Sequence, residues 1–366
     1  MIIVNKKKIL FIVEAMGGGV FTYIVSLSNL LVDKFDIYVA YGTRVQTPNN
    51  YKDYFDSRVN LIKVENFTRE INPIKDFKSF LEIKRIARDI KPDVIHLHSS
   101  KVGALGRIAF NGKRSKVFYT PHGYSFLMAD RRKYKRKFYK LVEIISAKRN
   151  CTTISCSYGE HKETLKLTSK ALYVNNGIDI SELKNVLESN SKKVRNEYTV
   201  FTLGRICFQK NPKLFNEIAL ACPNVKFLWI GDGELRKELS APNIEITGWV
   251  NRERAIKYAQ NTDAFILTSL WEGLPISLLE AMYMKKICIV SNVIGNRDVI
   301  HTGKNGFVCS SISDYVKVIN KVQNEHSLIS ELTNNAYNDI LSEYNTQAMA
   351  DKYSDIYRSF PNKCIF

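Results

Sequence analysis

The chain has 366 residues, 45% of them hydrophobic, which is enough for two buried cores and too long for one ordinary domain. Its formal net charge of +18 is unevenly spread: residues 1–190 hold 33 Lys/Arg against 18 Asp/Glu, and the remainder holds 21 against 18. No apolar run approaches the roughly 18 residues of a membrane span, and seven cysteines with no Cys-x-x-Cys spacing read as reduced, buried thiols of a cytosolic protein.

The first apolar run, 9–13, follows Lys6, Lys7 and Lys8 and stops at Glu14 and a glycine run, so it reads as a strand and not as a signal peptide. Strand and helix patterns then alternate. Strands are expected at 8–13, 35–40, 59–64, 93–97, 116–120, 152–155 and 171–174. Helices are expected at 20–31, 77–90, 104–110, 132–149 and 158–166. This is a βα layout with parallel strands buried between helices. The polar stretch 182–196 reads as an interdomain linker. A second series follows, with strands at 199–203, 225–230, 244–247, 264–267, 287–291 and 306–309. Its helices lie at 212–221, 252–259, 276–284 and 312–322. The expected organisation is an N-terminal domain over 1–185, a C-terminal domain over 197–345, and a helix at 346–360 that packs back on the first domain. Two such α/β domains would face a central cleft, and ligands of open α/β sheets bind in crevices outside strand ends.

Candidate chemistry gathers at those strand ends. Glu272-Gly-Leu-Pro-Ile-Ser-Leu-Leu-Glu280 runs from a Gly/Pro turn into an apolar helix, placing Glu272 at a pocket mouth and Glu280 on the exposed side of the helix start. Two carboxylates there suit a polyhydroxylated ligand; a glycosidase pair is the rival reading. Gly204-Arg205 ends the first strand of the second domain and Lys210 follows a short loop, so a guanidinium fork and an ammonium can converge on a diphosphate. That partner disfavours a hydrolase. Gly17-Gly18-Gly19 lies between a strand and a helix, where it serves either as a tight turn or as a backbone anion site at Gly18 and Gly19; the dinucleotide fingerprint is absent.

His122, in Thr120-Pro121-His122-Gly123, is placed to meet a sugar hydroxyl or to serve structurally. His96 and His98 alternate along a strand, need not face the same way, and lack a third ligand spaced for metal. With no Asp-x-Asp pair, a metal-independent site without cofactor is the working view. Gly231-Asp232-Gly233 and Thr247-Gly248-Trp249-Val250 read as loops over a nucleotide, with Trp249 either beside a base or in the core. Asn176-Gly177-Ile178-Asp179 reads as a hinge turn. The run Arg131–Lys140 mixes basic and aromatic residues and fits an anionic bilayer surface, with a solvated helix face as the plainer reading and nucleic acid ranked low.

Taken together, Gly17-Gly18-Gly19, Thr120-Pro121-His122-Gly123, Asn176-Gly177-Ile178-Asp179, Gly204-Arg205 with Lys210, Gly231-Asp232-Gly233-Glu234 and Ser269 to Glu280 resemble the retaining GT-B glycosyltransferases of family 4, over nearly the whole chain. His96-Leu97-His98-Ser99-Ser100-Lys101-Val102-Gly103 with Pro121-His122-Gly123-Tyr124 is similar to enzymes that build bacterial capsule, exopolysaccharide or O-antigen repeats. The resemblance implies a nucleotide-sugar donor, UDP-linked, and a polyprenyl-diphosphate-linked glycan acceptor at the cytoplasmic membrane face, the enzyme being peripheral there. It implies that Arg205 and Lys210 stabilise the leaving diphosphate and that Gly18–Gly19 backbone approaches the phosphates. His122 and Glu272 would orient the donor sugar, Glu280 would hold the ribose, and Gly248 and Val250 would line the nucleotide. Where the family commonly has Gly-Gly and a Glu, this chain reads Gly295-Asn296-Arg297-Asp298. An epimerase or glycogen-synthase-like polymerase of the same fold, and a catalytically silent sugar-nucleotide-binding protein, are the competing readings.

Overall fold

The computed structural model describes residues 6–14, 16–44, 47–68, 70–128, 132–189 and 197–359. Arg131, residues 190–196 of the expected linker, Phe360 and Cys364 lie outside them. The chain divides into two compact units, Met1–Asn176 with Thr346–Phe366, and Gly177–Asn345.

The first unit contains β1 (Lys8–Val13), α1 (Gly18–Leu31), β2 (Asp36–Tyr41), β3 (Asn60–Lys63), α2 (Pro73–Ile90), β4 (Val94–His98), α3 (Ser100–Ala109), β5 (Lys116–Thr120), α4 (Lys133–Ala147), β6 (Thr152–Ser155), α5 (Tyr158–Leu165) and β7 (Ala171–Tyr173). The second contains α6 (Ile180–Glu188), β8 (Thr199–Leu203), α7 (Pro212–Ala221), β9 (Lys226–Ile230), β10 (Ile244–Ile246), α8 (Arg252–Gln260), β11 (Ala264–Leu267), α9 (Ile276–Tyr283), β12 (Ile287–Ser291), α10 (Asn296–Val299), β13 (Phe307–Cys309), α11 (Ile312–Val322) and α12 (His326–Ser342). The chain then returns to the first unit as α13 (Thr346–Arg358).

All strand pairs are parallel. The first sheet runs β3-β2-β1-β4-β5-β6-β7 and the second β10-β9-β8-β11-β12-β13. Strands such as Lys-Ile-Leu-Phe-Ile-Val in β1 are buried on both faces, as a parallel sheet covered by helices requires. Each sheet reverses strand order once, between β1 and β4 and between β8 and β11. Local chemistry starts the helices: Asn72 and Asn211 cap α2 and α7 with their side chains, each followed by proline at the first helical position.

The sequence reading missed two long elements. Residues 180–188, all but the first two of them assigned to a linker, form α6, whose N-terminus Asp179 caps by accepting the Glu182 N–H at 3.1 Å. α6 belongs to the second unit, so the units part at Asn176–Gly177 and not after residue 185. Helix α12 is rich in Ser, Asn and Thr, which blurred its period; its buried Leu332, Ala336 and Ile340 recur every four residues. Helix α13 packs on α1, and buried hydroxyls fasten it: Tyr23 donates to Tyr353 at 2.5 Å, and Tyr357 meets His96 Nδ1 at 2.6 Å.

A buried ion pair joins α3 to α4. Arg107 Nη2 meets Glu143 Oε2 at 2.7 Å and Arg107 Nε donates to the Gly103 carbonyl at 2.8 Å, while Tyr119 donates to Glu143 Oε1 at 2.9 Å. Removing one partner strands the other charge without water. Arg107→Met should therefore lower stability by about 3–5 kcal/mol, read as a lower urea midpoint with native far-UV circular dichroism before the transition. An unchanged midpoint would contradict the assignment.

Candidate active site

In the second unit the residues singled out from sequence follow strand ends on one edge of the sheet. Gly204-Arg205 and Lys210 follow β8, Gly231–Glu234 follow β9, Thr247–Val250 follow β10, Thr268–Glu272 follow β11, and Asn292–Asp298 follow β12. The switch between β8 and β11 sits at the middle of this edge, the place where parallel α/β sheets leave a crevice.

An ion pair spans that switch. Lys210 Nζ lies 2.7 Å from Glu272 Oε1, and both side chains are largely buried. Ser269 Oγ donates to the same oxygen at 2.7 Å, and Gln209 Nε2 donates to Glu272 Oε2 at 3.2 Å and to the Trp271 carbonyl at 3.0 Å. Glu272 is thus held by three side chains, leaving little of its four-site acceptor capacity open. Gln209 and Ser269 escaped the sequence reading because nothing in their local pattern marks a carboxylate partner. Arg205 is more exposed and pairs with Glu234 at 2.9 Å. The two cations therefore hold separate carboxylates, but they remain neighbours: a Cβ on Gly204 would lie 3.4 Å from Lys210 Cε.

Glycine is required at Gly231. Its φ of +137° is open to few other residues, and an added Cβ would stand 2.3 Å from the Gly204 carbonyl oxygen. This close approach lets the β8 and β9 loops abut. Gly231 also bridges Gly248, bringing the β10 loop to the same edge. Val250 is half-buried against the core of this unit, while Trp249 is 69% exposed, which excludes the core position left open for it. The loop Gly295–Asp298 presses on the Glu272 turn, because a Cβ on Gly295 would meet the Gly273 carbonyl oxygen at 2.4 Å. Asp298 accepts the Gly295 N–H at 3.1 Å, and buried Asn296 donates to the Ser291 carbonyl at 3.2 Å.

Glu280 corrects one expectation. It is 2% exposed and does not lie on an exposed side of α9, since every residue from Leu278 to Tyr283 is buried. Burial pushes its carboxyl up, opposed by Arg252, which contacts Oε1 and also meets Glu182 at 2.9 Å. Glu182 is available because α6 is a helix packed on α8 and not a linker. A cavity of about 880 Å³ in this unit lies at the opposite sheet edge, lined by Tyr198, Asp263 and Lys286, and none of the loops above contributes to it.

In the first unit the switch lies between β1 and β4. Gly18 and Gly19 begin α1 with exposed backbone, and nothing lies within 4 Å of a Cβ added to either. His98 ends β4 and His122 follows β5; His98 Nδ1 and His122 Nε2 are 3.0 Å apart. The Tyr23 ring meets His122 edge-on with centroids 4.7 Å apart. His96 and His98 do share a face, their ring centroids 4.2 Å apart, because residues two apart on a strand project to the same side. Burial drives all three imidazoles toward the neutral form, His122 down to about 3. Buried Glu160, which the sequence did not single out, accepts the Gly123 N–H at 2.7 Å and the Cys156 N–H at 2.9 Å and so fixes the loop after His122. The Asn176–Asp179 turn carries the α6 cap described above.

Comparison with known proteins gives consistent results. The family model described as Glycosyltransferase Family 4 matches residues 17–182, and that described as Glycosyl transferases group 1 matches residues 184–339. The chain is similar to an Escherichia coli UDP-Gal:alpha-D-GlcNAc-diphosphoundecaprenol alpha-1,3-galactosyltransferase, with 32% identity over 83% of this chain and 85% of that protein. In structure it is similar to sucrose-phosphate synthase from Thermosynechococcus elongatus (TM-score 0.79, 16% identity, 97% of this chain and 99% of that one). It is also similar to Anabaena HepE in complex with UDP and glucose (TM-score 0.77, 16% identity, 97% and 100%).

The histidine cluster predicts a pH dependence of stability. Unfolding restores an ordinary imidazole pKa near 6.5, whereas the folded values lie lower, so the unfolded chain binds more protons as pH falls. Stability is full above about pH 6.5 and is lost below it, by up to about 1.4 kcal/mol per pH unit for each buried imidazole. Urea midpoints should fall between pH 7 and pH 5, and less steeply in His96→Gln. Equal slopes would contradict the buried-neutral assignment of His96.

Proposed function

We propose that this chain, which belongs to the group 1 glycosyltransferases of glycosyltransferase family 4, moves a hexosyl or N-acetylhexosaminyl group from a UDP-linked sugar to a polyprenyl-diphosphate-linked glycan, with retention, in bacterial surface polysaccharide synthesis. The chain is a glycosyltransferase, and its two Rossmann-like parallel-sheet units are the GT-B fold. The observation that carries the reading is the Lys210–Glu272 pair at the switch of the second sheet, beside Arg205. The E. coli relative, whose name specifies a UDP-galactose donor and a diphosphoundecaprenol-linked acceptor, supports the choice of donor and acceptor.

In this reading the donor diphosphate takes Lys210 Nζ and the Arg205 fork as partners, and both carboxylates yield part of their hold. The acceptor hydroxyl oxygen bonds to the anomeric carbon as the carbon–oxygen bond to the diphosphate breaks. The bonding pair leaves on the phosphate oxygen, and the hydroxyl proton passes to that oxygen on the same sugar face. Lys210 and Arg205 meet the growing charge in a water-poor site, where fixed positive groups act most strongly. No resident ion or cofactor is needed. Glu272 turns its remaining acceptor capacity to donor-sugar hydroxyls, Glu280 holds the ribose, and Gly248 and Val250 line the nucleotide; in the first unit, His122 and the Gly18–Gly19 backbone are by themselves suited to sugar and phosphate oxygens.

The acceptor is lipid-linked, and the first unit carries a surface suited to a membrane. On α4, Tyr134, Phe138, Leu141 and Ile145 are each more than half exposed. At 3.6 residues per turn they fall within about 60° of one another, with Lys133 and Lys137 on one flank and Lys135 on the other. An exposed apolar stripe edged by lysines is the pattern of a helix lying in a lipid interface, which favours the bilayer over nucleic acid. No described helix is long and apolar enough to cross a membrane, so the reading makes the protein peripheral on the inner face.

Two measurements test the reading. UDP release from UDP-galactose and other UDP-sugars should require a GlcNAc-diphospho-lipid or related acceptor. Lys210→Ala should lower kcat by about a hundredfold or more, the size of loss seen when a fixed charge at the leaving group is removed; release unaffected by Lys210→Ala would reject the assignment. Phe138→Glu should weaken binding to phosphatidylglycerol vesicles by about tenfold or more while leaving UDP affinity unchanged. Equal vesicle binding by the variant would remove α4 from the membrane surface.

A further inference from the structure

The contact between His98 and His122 has a consequence for which atom of His122 meets the ligand. His98 is fully buried, and its ring packs among those of Phe11, Tyr23 and His96. Its Nδ1 faces His122 Nε2 at 3.0 Å, while its Nε2 is buried and has no hydrogen-bond partner among the described residues. Both rings are neutral, so each carries one N–H, and a hydrogen bond between two ring nitrogens contains one proton.

Two arrangements satisfy that count. If His122 donates from Nε2, His98 must carry its proton on Nε2, as an N–H buried with no acceptor. If His98 donates from Nδ1, its Nε2 is a bare lone pair, and His122 Nε2 accepts. Buried N–H groups without an acceptor are rarer in folded proteins than acceptors left partly unsatisfied, and an unsatisfied buried donor costs about 1–3 kcal/mol.

We propose that His98 is a positioning residue that sets the tautomer of His122: His98 donates from Nδ1 to His122 Nε2, so His122 carries its own proton on Nδ1 and presents an N–H to the ligand. His122 Nδ1 has no hydrogen-bond partner among the described residues. The group it receives is therefore a lone-pair oxygen, such as a sugar hydroxyl or a phosphate oxygen. The identity of that ligand rests on the glycosyl-transfer reading; the tautomer does not. The strand register fixes the arrangement, since β4 and β5 pair His98 with Thr120, two residues before His122.

The experiment is a long-range proton–nitrogen correlation spectrum of the ligand-free protein labelled with ¹⁵N-histidine, at pH 7.5. The chain has six histidines, and His98→Asn and His122→Gln assign the two signals. The expected result is His122 protonated at Nδ1 and bare at Nε2; protonation at Nε2 overturns the proposal. Turnover with UDP-galactose as probe gives a second readout. His98→Phe removes the donor and should lower kcat by about tenfold to a hundredfold, as a misplaced contact does, with a smaller change in donor KM. His98→Asn, whose amide sits near the position of Nδ1, should recover most of that loss. A folded His98→Phe protein with unchanged kcat also overturns the proposal. Absence of UDP release by the unmodified protein from any UDP-sugar, with His122 still protonated at Nδ1, counts against the transferase donor assignment and leaves the tautomer standing.

Discussion

Every strand in both sheets runs parallel to its neighbours, and this one constraint decides where chemistry can be placed. Parallel strands need helical returns, so each strand's C-terminal loop emerges on the same edge of its sheet. In the second unit that edge collects Arg205, Lys210, Glu234, Gly248 and Glu272 from four different strand ends. The reversal between β8 and β11 opens a gap there, and the Lys210–Glu272 pair spans it. A largely buried pair of this kind is a modest source of stability, since desolvation offsets much of the attraction. It does keep an ammonium in place at a site where negative charge has to be received.

Much of this was legible in sequence. Apolar runs of four to six residues bounded by Gly, Pro, Asn and Asp gave the strands, with ends within a residue or two. Gly204-Arg205, Lys210 and Glu272 could be placed because a strand end, a short loop and a Pro-containing turn each leave a sequence mark. The mixing of basic and aromatic residues in α4 was also visible, although the side-by-side apolar stripe required the helix itself.

What stayed hidden depended on packing between distant elements. The burial of Glu280 follows from Arg252 on α8 and Glu182 on α6, and neither separation carries a local signal. Calling 182–196 a linker hid Glu182 for the same reason: polar composition outweighed the Asp179 cap. Helix α12 was lost because its buried positions are diluted by Asn and Ser. The facing of His96 and His98 was within reach, since strand period alone places both on one side. The partners of His96 on α13 were not, because Tyr353 and Tyr357 lie more than 250 residues away.

The two sites use electrostatics differently. Around His122 burial suppresses charge, leaving neutral donors and acceptors whose tautomers can be fixed by geometry. Around Lys210 the ammonium faces a carboxylate that is itself held in hydrogen bonds. A sugar's hydroxyls suit the first setting, and a diphosphate suits the second.

The central claim is that the edge between β8 and β11 receives a diphosphate. A crystal structure with UDP bound tests it most directly. The account predicts a phosphate oxygen within hydrogen-bond distance of Lys210 Nζ, beside Gly204-Arg205, with the Lys210–Glu272 contact lengthened. UDP bound at another edge of the sheet, with Lys210 still closed on Glu272, would contradict it.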